Sequence, residues 1–62
     1  MTKQEIQSQL FTLRMEKINL NKRRNTFIKQ EKMKEAKEIQ TQIVKITKKI
    51  SDLSGKLYKM MS

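Results

Sequence analysis

Glu31, Glu35 and Glu38 recur at steps of four and three, a spacing that stacks three carboxylates on one face of a helix. Helical bundles use stacked carboxylates to hold metal ions, but they complete the site with Glu-x-x-His motifs. This sequence has no histidine and no cysteine. The commonest general base and the strongest thiol nucleophile are therefore both missing. A Gly-rich phosphate loop is missing too, since Gly55 is the one glycine. The residues predict no catalytic, cofactor-binding or metal site, and a non-enzymatic protein.

What remains chemically distinctive is cationic. Fifteen Lys+Arg stand against six Asp+Glu, a formal net charge of +9. Lys22, Arg23 and Arg24 run together. Further along, Lys34, Lys37 and Lys45 join Lys48, Lys49, Lys56 and Lys59 within about a third of a helix circumference. Contacts to an anionic partner are expected at Lys22, Arg23, Arg24, Lys45, Lys48, Lys49, Lys56 and Lys59. Such a ridge can follow a phosphate backbone, with affinity that falls steeply as salt rises. It also has a plainer reading as a solvated face, because Glu31, Glu35 and Glu38 gather early in that helix and most of its lysines late, in the order that complements a helix dipole. No aromatic residues are interleaved for base stacking, and arginine occurs three times. Any nucleic-acid binding would therefore be to the backbone, with little sequence preference.

These charges need helices to carry them. Proline is absent, and the chain is rich in Lys, Gln, Glu, Ile, Leu and Met. Ala36, Ile39, Ile43, Ile46, Ile50, Leu53, Leu57 and Met60 alternate steps of three and four, which is a coiled-coil seam. Ile6, Leu10, Leu13, Lys17, Leu20, Arg24 and Phe27 make a second seam with charges at two positions. Lys17 and Arg24 are expected to lay their stems along the seam and to set its register. A bend at Glu31 and Lys32 pairs Ile6 with Leu57, Leu20 with Ile43 and Phe27 with Ala36, leaving no layer over. The expected fold is all-α: an antiparallel, coiled-coil-like two-helix hairpin in one domain over 1–62. Its helices are placed at about 3–27 and 35–60, with the turn at about 28–34. Local propensity offers two rivals. Asn25 and Thr26 are poorer helix formers, and Thr26 is a candidate N-cap for an earlier turn; a single long helix with a phase slip is the other.

A second apolar stripe follows. Phe11, Met15 and Ile18 lie nearly opposite the seam of the first helix, and Val44 and Met33 lie off the seam of the second. Leaving such side chains in water costs about 1.5–3 kcal/mol each relative to burial. Phe11, Met15, Ile18 and Val44 are therefore expected to form a self-association or partner surface, with a homodimer packing as a four-helix bundle. The alternative is a helix-in-groove contact with a different protein.

Length points the same way. A domain of this size buries only about 60% of its unfolded surface, and folding alone is marginal. Disulfides and histidine-bound zinc are excluded as staples by composition. No apolar signal segment, lipidation signal or membrane span is legible, so a cytoplasmic location without membrane contact is expected.

Leu10–Arg14 and Ile43–Thr47 are locally similar to the two helices of a small basic ribosomal hairpin family. Aligning one stretch puts the other out of register, and that family's glycine-containing turn is missing. Met1–Glu5 is similar to the opening of a plasmid RNA-binding hairpin, the repressor of primer, after which the residues diverge. Neither similarity assigns a role to any residue. The expected function is stoichiometric binding, as an inhibitor, adaptor or regulator of an acidic macromolecule, in the manner of phage and mobile-element proteins. Nucleic-acid binding, ribosomal RNA included, and a structural coiled-coil subunit are the alternatives. No small-molecule substrate is expected.

Overall fold

The computed structural model describes residues 2–61. Two helices, α1 (Lys3–Lys29) and α2 (Met33–Met61), lie against each other in a body of 46 × 14 × 14 Å. Among the described residues there is no strand. The chain reverses direction, so a single uninterrupted helix is excluded.

Local chemistry sets the ends of α1. Thr2 adopts an extended backbone, and its Oγ1 accepts a hydrogen bond from the Glu5 N–H at 3.2 Å. The same hydroxyl donates to Glu5 Oε1 at 3.1 Å. This Thr-x-x-Glu pairing satisfies an amide that has no partner within the helix. At the other end the Glu31 N–H donates to the Ile28 carbonyl and the Lys32 N–H to the Phe27 carbonyl. Glu31 takes a positive φ of 60°. That pair of bonds around a left-handed residue is a Schellman stop, usually built on glycine. Here a glutamate accepts the left-handed strain. The Lys32 carbonyl then receives the Ala36 N–H and opens α2.

Each helix extends two residues beyond its expected end into the turn, which shortens to Gln30–Lys32. Thr26 does not cap a new helix. It stays inside α1, and its hydroxyl donates to the Lys22 carbonyl. The earlier turn at Asn25 loses because it would leave the seam of α2 without an intrachain cover, and burial outweighs the weak helix propensity of Asn25 and Thr26.

The two seams meet. Ile6, Leu10, Leu20, Ala36, Ile39 and Ile43 are buried. Leu20, Ile39 and Ile43 form one cluster, with Phe27 and Ile46 packed against it. Leu13, Ile50, Leu53 and Leu57 are half-buried, whereas Met60 is exposed. No polar side chain among the described residues is buried.

Candidate functional site

The antiparallel packing gives the hairpin two unlike flanks. One groove between the helices is walled by Ser8, Thr12 and Leu13 of α1 and by Lys49, Leu53 and Lys56 of α2. On the other side, near the turn, Arg24 and Ile28 face Met33, Ala36, Lys37 and Gln40 across a second groove. At about 100° per residue these contacts fix which residues share each flank.

The first is a charged flank. It carries Glu5, Glu16, Glu35, Glu38 and Asp52, together with Arg23, Lys45, Lys49, Lys56 and Lys59, all exposed. Asp52 sits between Lys49 and Lys56 on the groove wall. Lys22, Lys29, Lys34 and Lys48 are exposed on the outer ridges next to it. The expected anionic contacts thus gather here, with one exception among them and one in the wider lysine ridge. Arg24 does not stand with Lys22 and Arg23. It is half-buried, and its Nη1 donates to Gln40 Oε1 across the helix pair, while its Nε is shielded without a hydrogen-bond partner. A guanidinium committed to a neighbouring helix is poorly placed to meet an external anion, and it suits the register role expected of a polar seam position. Lys37, in turn, leans into the opposite groove, away from Lys49 and Lys56. Lys17, the other charged seam position, is half-buried.

The second flank is nearly free of charge. Phe11 (67% exposed), Ile18, Ile28, Met33, Val44 (58%) and Tyr58 (75%) stand along it, and Met61 ends it. Between them lie Asn21, Asn25, Gln40, Thr47, Ser51 and Ser54. Arg14 and Lys37 are its exposed cations, Arg24 lies half-buried in its groove, and it has no carboxylate among the described residues. Met15 sits behind Phe11 and Ile18 on the back of α1 and is half exposed. The expected stripe of Phe11, Met15, Ile18 and Val44 is therefore one part of a longer apolar strip. Ile28, Tyr58 and Met61 did not stand out in sequence. Their signal was nevertheless present, because Tyr58 follows Val44 by two heptads and Ile28 follows the seam residue Phe27 by one position.

Among the described residues, no group of three or more His, Cys, Asp or Glu could hold a metal ion. No helix there is long and apolar enough to cross a membrane. No family model matches the chain, and no curated protein or solved structure is significantly similar to it.

Proposed function

We propose that this hairpin is a non-enzymatic binding module that self-associates into a four-helix bundle and acts on an acidic macromolecular partner as inhibitor, adaptor or regulator. The observation that carries this reading is the division of labour across the molecule. The six residues buried among the described ones are all aliphatic, so the groups with chemical character lie at the surface or, as with Arg24, along the edge of the seam. A body with a purely apolar interior acts through what it presents.

The charged flank is the side for an anionic partner. Lys45, Lys48 and Lys49 are exposed, and Lys56 and Lys59 follow them along α2. Reversing Lys45, Lys48 and Lys49 to Glu together should abolish capture of an acidic partner while far-ultraviolet circular dichroism stays helical. Retained capture by that variant would refute the reading.

A second reading is favoured by the same lysines, whose spacing suits a phosphate backbone. A nucleic-acid binder should retain both DNA and RNA at about 50 mM salt and lose them progressively as salt is raised. Absence of retention at low salt ends that alternative.

A further inference from the structure

We propose that the nearly uncharged flank is the contact between two copies of this chain, packed antiparallel with a two-fold axis at the level of Ile18 and Val44. This rests on the self-association stated above and adds the face, the orientation and the axis.

Charge selects the occupant. A chain of net charge +9 repels its own copy wherever lysines would be opposed. The strip bearing Phe11, Ile18, Ile28, Met33, Val44 and Tyr58 contains Arg14 and Lys37 as exposed cations, beside Arg24, whose guanidinium is half-buried on the groove floor and donates to Gln40. It is the one flank on which a second copy can dock without setting lysine rows against each other. It equally lacks the carboxylates that would recognise a basic partner. An acidic partner finds its complement on the opposite flank, where Lys45, Lys49, Lys56 and Lys59 stand. The polar residues between the apolar ones are uncharged: Asn21, Asn25, Gln40, Thr47, Ser51 and Ser54. Amides and hydroxyls can donate and accept alike, so they can pair with their own copies.

The orientation follows from where the apolar residues fall. Leu20 packs with Ile43, and Ile46 joins the same cluster, which puts Ile18 and Val44 at one height near the middle of the hairpin. From that level Ile28 and Met33 lie about 15 Å toward the turn, at 1.5 Å rise per residue. Phe11 lies about 10 Å, and Tyr58 about 21 Å, toward the open end. An antiparallel two-fold therefore lays Phe11 and Tyr58 of one copy over Ile28 and Met33 of the other, with Ile18 and Val44 meeting their own copies at the axis. Such an isologous contact closes on itself and does not propagate into a filament.

The absence of native cysteine makes the arrangement directly readable. Val44→Cys should cross-link to itself with a short bis-maleimide, Met33→Cys should not, and a mixture of Met33→Cys with Tyr58→Cys should give the heterodimer. Sedimentation should show a dimer of the 7.4 kDa chain that Ile18→Glu and Val44→Glu convert to monomer, while Lys48→Glu on the outer ridge leaves it dimeric. A monomer at every concentration would sink self-association itself. A dimer whose Val44→Cys variant fails to cross-link would sink only the face proposed here. Efficient Met33→Cys self-cross-linking would replace the antiparallel arrangement with a parallel one. Because the cross-links are read in otherwise native chains, they decide the matter even if the charged variants fail to fold.

Discussion

Glu31 holds the reversal of the chain in a backbone conformation that its Cβ disfavours. At φ 60° a residue other than glycine carries strain of about 1–2 kcal/mol. Gly55 shows the opposite mismatch: it lies inside α2, and a Cβ added there would meet nothing within 4 Å. A mid-helix glycine costs about 0.5–1 kcal/mol relative to alanine. Glu31→Gly and Gly55→Ala should therefore each raise stability, by roughly 1 and 0.5–1 kcal/mol, read as a higher urea midpoint at unchanged slope. A drop in midpoint for Glu31→Gly would mean that the left-handed stop is not formed in solution. The turn itself illustrates why single residues were hard to read. Sequence habit looks for glycine where a helix ends, and the one glycine sits in a helix while the stop falls on a glutamate. Thr2 and Glu5 were legible as a capping pair by their spacing, directly before the seam residue Ile6.

At the scale of elements, the helices depend unequally on their caps. α1 begins with the Thr2–Glu5 exchange, whereas α2 begins after Lys32, whose side chain has no oxygen to offer the first amides. Thr2→Ala should destabilise the hairpin by about 1 kcal/mol. Lys32→Ser should stabilise it by a comparable amount, since the new hydroxyl and the existing Glu35 would form a capping box. Chemical denaturation of the two variants checks both signs. Pairing of the helices was the most legible part of the fold, because two stripes alternating three and four can close layer by layer in one antiparallel register. Every seam position except Met60 is at least half-buried. The contrast between flanks was much less legible. Which off-seam positions share a side depends on how the second helix turns relative to the first, and that is known only once the two face each other. Val44 and Phe11 were visible as off-seam residues, but their membership of one strip with Ile28 and Tyr58 was not.

Taken whole, the molecule has one thin apolar interior and a large exposed apolar strip. If a second copy covers that strip, association and folding are linked, and the melting temperature should climb as protein concentration is raised. Scanning calorimetry or circular dichroism over a hundred-fold range of concentration tests this, and a constant melting temperature would show that the single hairpin is the folding unit. High salt should strengthen the dimer by screening the lysines that remain on its outside, while it weakens capture of any anionic partner. The two surfaces thus answer to salt with opposite sign, which gives a way to tell them apart without mutation.

The narrow 14 × 14 Å cross-section has a consequence for how such a chain can change over generations. With only two rods in contact, an interior side chain answers chiefly to the residues at its own height on the facing rod, and no third layer stands behind them. A loss of volume at Leu20 can then be made good by a gain at Ile43 opposite it, one compensation at a time. Homologues of this molecule should vary in matched couples across the rods, with each couple drifting independently of couples a turn or two away.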